Sequence, residues 1–158
     1  MCLVIDSCCL TRVFNGRNSE HKPFAPVLEW VRTSGRMIYG GSKYIKELRE
    51  LTEIFGLVTE LRRSRRAIQI PDAVVDSIAL DLKERFPEKV FNDEHIVALV
   101  IASRCCVVCT HDKAAMAYLK RKDVFHPYQG LSRPKIYSGL KNNHKLCCAK
   151  HVVEICKQ

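Results

Sequence analysis

Apolar positions along this chain follow two rhythms. Short unbroken runs occur at residues 2–6 (CLVID), 36–39 (RMIY), 67–70 (AIQI) and 105–110 (CCVVCT). Runs of this kind suit strands buried on both faces of a parallel sheet. Residues 135–138 (KIYS) suggest a last short strand. Between the runs, apolar residues recur every three or four positions, the spacing of one helix face. A helix is predicted over 24–34 around Val27, Leu28, Trp30 and Val31, stopped by Gly35. A longer helix is predicted from an N-cap at Ser42 to about Arg62, with Tyr44, Leu48, Leu51, Phe55 and Val58 as its buried stripe. Further helices are expected with Asp72 as cap, from Asn92 or Asp93 to about Ser103, and from Asp112. Residues 123–134 read as a loop and the tail after Asn142 as helical. Strand and helix alternate throughout. The pattern predicts a single domain over residues 1–158, a three-layer α/β/α sandwich with a central parallel sheet.

Acidic residues recur where the predicted strands end. Asp6 closes the first run, Glu47 sits early in the helix after Gly40-Gly41, Asp93 opens the helix NDEHIVALVIASR, and Asp112 follows VVCT. In an open parallel sheet those ends share one edge, the edge where ligands bind. Carboxylates gathered there repel one another unless a hard divalent cation lies between them. Each acid alone also reads as a helix cap or a surface group. Glu47 is preferred over Glu50 and Glu53 because it borders the stripe between Tyr44 and Leu51 and lies nearest the helix start. Spacing does not separate Asp93 from Glu94. His95 and His111 are expected to pack or hydrogen-bond rather than to ligate, and Gly40-Gly41 to form a tight turn.

Charge adds a partner to this picture. Formal net charge is +9, from 26 Lys and Arg against 17 Asp and Glu. The densest cluster is Arg62-Arg63-Ser64-Arg65-Arg66, and Lys120-Arg121-Lys122, Arg133, Lys135, Lys141, Lys145 and Lys150 follow later. Such an excess on a small domain points to a polyanion, nucleic acid first. No apolar run approaches the ~20 residues of a membrane span, and MCLVIDSCCL lacks a basic leader. A cytoplasmic location with reduced thiols is therefore expected for the nine cysteines. Cys106-Val-Val-Cys109 has C-x-x-C spacing but sits in a strand, where residues three apart face opposite ways. The tail residues His144, Cys147, Cys148, His151 and Cys156 are a zinc candidate without a second well-spaced pair. In both places the expected role is small apolar filling.

Four pieces, in order, resemble the PIN-domain nucleases: LVIDSCCL, Glu47 within GGSKYIKEL, NDEHIVALVIAS and VVCTHDKAA. The resemblance covers residues 2 to about 138 and places Asp93, five residues before Ala98, at the acid position in preference to Glu94. The sequence departs from the family at Cys8, where members often carry Asn. The resemblance implies a Mg²⁺- or Mn²⁺-dependent phosphodiesterase acting on RNA, single-stranded above all, or on DNA. Asp6, Glu47, Asp93 and Asp112 would be both catalytic and metal-holding, with Ser7 and Thr110 hydrogen-bonded to ligands or water. Arg62, Arg63, Arg65, Arg66 and Lys113 would bind the nucleic-acid backbone. A homodimer and a toxin–antitoxin or defence role, with an antitoxin protein as partner, are further implications. Two rivals compete. One is a non-catalytic nucleic-acid-binding module on the same fold. The other is a receiver or haloacid-dehalogenase domain, disfavoured because Asp6-Ser7-Cys8 lacks the second Asp and Ile70-Pro71 ends the third strand without an acid.

Overall fold

The computed structural model describes residues 2–88, 92–140, 143–148, 150 and 153–156. Lys141 and the zinc candidate His151 lie outside the described residues. The unbroken apolar runs become strands: β1 (Cys2–Ile5), β2 (Arg36–Gly40), β3 (Ala67–Ile70), β4 (Val107–Cys109) and β5 (Lys135–Tyr137). They form one five-stranded sheet in the order β3-β2-β1-β4-β5, and every pairing is parallel. Each residue of β1 is buried, as its lack of polar alternation requires. Helices α1 (Ser7–Phe14), α2 (Ala25–Thr33), α3 (Ser42–Glu50), α4 (Thr52–Arg63), α5 (Asp72–Arg85), α6 (Glu94–Ser103), α7 (Lys113–Leu119) and α8 (Lys122–Phe125) fill the connections. The chain steps from β1 outward through β2 to β3, then returns past β1 to β4 and leaves in the opposite direction to β5. Right-handed crossovers in opposite directions put helices on both faces. The result is the expected three-layer α/β/α sandwich.

That topology reverses between β1 and β4. A crevice opens at the carboxyl ends of strands flanking such a reversal. Asp6 directly follows β1, and Asp112 follows β4 by three residues.

Several local expectations need correction. The long helix from residue 42 breaks at Leu51, whose φ of −99° and ψ of 71° are not helical. The break rotates the second segment, so Ile54 and Val58 are buried while Phe55 is exposed. Gly41, not Ser42, occupies the cap position of α3. Its capping acceptors come from α5: Asp72 Oδ1 accepts from the Gly41 N–H at 3.0 Å and Asp76 Oδ1 from the Ser42 N–H at 2.9 Å. Asp72 is therefore spent on another helix and does not cap its own. Gly40 and Gly41 have φ of +145° and +89°, and a Cβ on Gly40 would stand 2.3 Å from the Ile70 carbonyl oxygen. Close approach of β2 to β3, together with the positive φ, demands glycine there. Gly35 serves packing, since a Cβ would strike the Trp30 ring at 2.3 Å. The expected loop 123–134 begins inside α8, and the described tail holds short 3₁₀ turns at Asn143–Leu146 and Glu154–Cys156 in place of a helix. The sulfurs of Cys2 and Cys156 meet, with Cα atoms 6.3 Å apart, inside the span a disulfide covers. The expectation that all nine thiols are free did not anticipate this pairing.

Candidate functional site

The crevice at the reversal is built by four segments: the start of α1, the first turns of α3 and α6, and the turn from β4 into α7. Asp6 is buried at 2 % exposure. Its Oδ2 accepts a 2.6 Å hydrogen bond from the Thr110 hydroxyl, and its Oδ1 accepts from the Cys8 N–H at 3.3 Å and lies 3.5 Å from the Ser7 hydroxyl. Thr110 is fully buried, and its Oγ1 also accepts from the Asp112 N–H at 3.1 Å. One threonine thus joins the ends of β1 and β4. Asp112 Oδ1 accepts from the N–H groups of Ala114 and Ala115 at 2.6 and 3.0 Å and caps α7.

Asp93 behaves differently. It occupies the cap position of α6 but makes no side-chain cap hydrogen bond. Burial pushes its carboxyl up to about 6, helped by the nearby charges of Asp6 and Asp112 and opposed by His95 and Lys43. The three aspartates are therefore electrostatically coupled across the crevice. Neighbouring Glu94, 15 % exposed, lies 3.6 Å from Lys43 Nζ. Asp93 feels the charges of Asp6 and Asp112, whereas Glu94 pairs with a lysine.

Glu47 completes the acid edge from α3. The Tyr44 hydroxyl donates to the Ile5 carbonyl at 2.7 Å and ties α3 to the end of β1. One turn on, Glu47 Oε2 lies 3.3 Å from Nε2 of His95, whose side chain is 3 % exposed. Burial alone would raise the Glu47 carboxyl. Hydrogen bonds from His95 and Ser7 and the charges of His95 and Lys43 outweigh it and hold the group below its ordinary value. Neither His95 nitrogen nor Glu47 Oε2 has a well-aligned hydrogen bond, although all three atoms are buried. His95 does both things expected of it, packing in the interior and facing a polar partner, Glu47.

The oxygen donors fit a hard divalent cation in type, and such an ion would offset both the burial and the neighbouring charges that raise Asp93. The fit is one of chemistry and neighbourhood. Two of the aspartates are engaged as caps, and the carboxylates do not close into a tight trio. Among the described residues, the tight trio of potential ligands is Cys8, Cys9 and His111, whose ligand atoms lie within 4.8 Å of one another. Hydrogen bonding to Cys9, burial and the Asp6 charge push the Cys8 thiol up, and a hydrogen bond with Cys109 together with burial pushes Cys9 up. Neither is an activated nucleophile.

The basic residues divide into two groups. Lys113 follows Asp112 at the crevice, and Lys43 reaches the Asn92 carbonyl beside it. Lys46 and Arg49 line a neighbouring groove of about 410 Å³ with Ser42, Ile45, Glu50 and Asp72. Arg62, Arg63, Arg65 and Arg66 are elsewhere. They lie where α4 runs into β3, and the Met37 N–H donates to the Arg66 carbonyl at 2.8 Å. In a parallel sheet that is the amino edge, about 15 Å from the acids by strand length. The cluster does not line the crevice. Lys113 was among the expected backbone-binding residues; Lys43 was not, because an isolated lysine carries no local pattern.

No known protein family, no curated protein and no solved structure matches this chain. Among the described residues, no helix is long and apolar enough to cross a membrane.

Proposed function

We propose that this chain is a divalent-cation-dependent phosphodiesterase that cleaves RNA at the crevice between β1 and β4. The observation that carries this reading is the convergence of Asp6, Asp93 and Asp112 at the topological reversal of a parallel sheet, with Asp93 left out of the helix cap it could have formed. The likeness of the motifs around these acids to those of PIN-domain nucleases supports the same chemistry. Mg²⁺ or Mn²⁺ held by Asp6, Asp93 and Asp112, with Glu47 beside them, would supply Lewis-acid activation of water and of the phosphodiester.

The chain's own residues have distinct tasks in this scheme. Thr110 fixes Asp6 through a short charge-assisted hydrogen bond and positions the Asp112 backbone. His95 holds Glu47 and so orients it toward the crevice. Lys113 and Lys43 offset the acids' repulsion of phosphate.

The test is incubation of the purified chain with labelled single-stranded RNA and single-stranded DNA, with Mn²⁺ or with chelator. RNA is cleaved only with the metal, and Asp93→Asn abolishes cleavage while far-UV circular dichroism is unchanged. Cleavage by that variant at the parent's rate overturns the assignment. A second reading, a non-catalytic RNA-binding module, draws support from the engagement of Asp6 and Asp112 as helix caps. It is distinguished by RNA binding that ignores Mn²⁺ and leaves the strand intact.

A further inference from the structure

Beside the acid crevice lies a second cluster of different chemistry. Cys8 and Cys9 sit in the first turn of α1, and His111 lies in the turn after β4. The two sulfurs are 3.8 Å apart, and His111 Nδ1 stands 3.3 Å from Cys8 Sγ and 3.9 Å from Cys9 Sγ. A tetrahedral zinc site has bonds of about 2.3 Å to sulfur and about 2.0 Å to nitrogen. At tetrahedral angles those bonds give edges of about 3.8 Å between sulfurs and about 3.5 Å from sulfur to nitrogen. The sulfur–sulfur edge matches, and the two sulfur–nitrogen edges fall on either side of the expected length, within about 0.4 Å. His111 is exposed and Cys8 half-buried, so an ion can enter from solvent.

We propose that Cys8, Cys9 and His111 form a Zn²⁺ site with three protein ligands and a fourth position open to solvent, separate from the carboxylate crevice. Two sulfurs and an imidazole select a borderline-soft d¹⁰ ion, whereas the carboxylate oxygens nearby select hard ions. The site clamps two segments that are distant in the chain. Cys8 donates its N–H to Asp6, and its sulfur lies 3.8 Å from Thr110 Oγ1. Zinc here fixes the start of α1 against the β4–α7 turn, and with it the spacing of Asp6 and Asp112. This site does not depend on the nuclease reading, since it is defined by its own ligands.

The test uses the full chain, reduced with a phosphine and titrated anaerobically with Co²⁺. One equivalent gives a near-ultraviolet thiolate-to-cobalt charge-transfer band and the visible bands of a tetrahedral ion. Zn²⁺ displaces both; excess Mg²⁺ displaces neither. Cys8→Ser and His111→Ala abolish the bands, whereas Cys147→Ser in the tail and Asp93→Asn in the crevice keep them. His111 is exposed, so its variant retains the parent's melting temperature without metal and loses the rise that Zn²⁺ produces in the parent. Absence of the bands in the parent, an octahedral cobalt spectrum, or bands that survive Cys8→Ser and His111→Ala each overturn the proposal. A parent chain that shows the cobalt bands but cleaves no RNA with Mn²⁺ counts against the nuclease reading alone.

Discussion

The carboxyl and amino edges of the sheet carry opposite charge and are built in opposite ways. At the carboxyl edge each acid is tied to something: Asp6 to Thr110, Asp112 to the α7 backbone, Glu47 to His95, and Asp93 through its charge to the other two. At the amino edge Arg62, Arg63 and Arg65 are exposed, and Arg62 and Arg65 share a groove of about 290 Å³ with Arg36, Ala67, Ile68 and Ile155. Charge density in the sequence is greater at the second edge. Organisation is greater at the first. A run of arginines announces an anionic partner through its long-range field, but chemistry needs groups held in place by their neighbours. If both edges meet one RNA, the strand must pass around the sheet, with the amino edge anchoring and the carboxyl edge reacting.

Separating the two edges by mutation gives the largest effects. Asp112→Asn lowers cleavage by at least about 100-fold, beyond the usual cost of changing a group that merely supports a metal ligand, and leaves RNA affinity near the parent's. The triple change of Arg62, Arg63 and Arg65 to Ala does the reverse. It weakens RNA binding about tenfold, reduces the salt slope by about 0.7 for each phosphate no longer neutralised, and spares the rate at saturating RNA. Filter binding across a salt series and single-turnover kinetics measure both. Equal affinity of parent and triple variant would remove the amino edge from the binding surface.

Within the carboxyl edge, Thr110→Val removes the hydroxyl that satisfies a buried carboxylate oxygen. The expected loss is about 1–3 kcal/mol of folding stability, read by denaturant melting. A neutral result would show that Asp6 finds another donor.

A smaller effect of opposite sign is expected at Asp93. Its folded-state pKa of about 6 lies above its ordinary 3.8. The fold therefore binds the extra proton between those values, and stability falls as pH rises through that window. The cost is absent below the lower value and complete above the upper one. Asp93→Asn removes it, so at pH 7 without divalent cation the variant is more stable by about 1 kcal/mol, allowing for solvent screening of a half-buried group. Its melting temperature is then higher by about 2–4 °C. At pH 3.5 the two melt together. Mn²⁺ stabilises the parent and narrows the gap at pH 7. A variant less stable than the parent at pH 7 would show that Asp93 is not repelled by Asp6 and Asp112.

Much of this architecture is written in local patterns. The runs CLVID, RMIY, AIQI and CCVVCT are short and mostly apolar, as strands of a sheet covered on both sides are. Their alternation with helical periods leaves a parallel three-layer sandwich. Asp6, Glu47, Asp93 and Asp112 are brought to one edge by topology alone, because every strand of a parallel sheet ends on the same side. The break at Leu51 had no such signal. Good helix formers flank it, and only the packing of Ile54 and Val58 shows why the segments rotate apart.

The chain alone was enough for the sheet, its direction and the edge where the acids gather, since those follow from short apolar runs alternating with periods of 3.6 and from the handedness of crossovers. Only the tertiary structure decided what each group does at that edge. Asp6 and Asp112 are drawn into caps, Asp93 is left to the field of its neighbours, His95 turns to Glu47, and His111 closes on Cys8 and Cys9. The caps are local, formed two or three residues on, but the links of Thr110 to Asp6, His95 to Glu47 and His111 to Cys8 join residues between 48 and 104 positions apart. Side-chain contacts over that range leave no trace in local spacing.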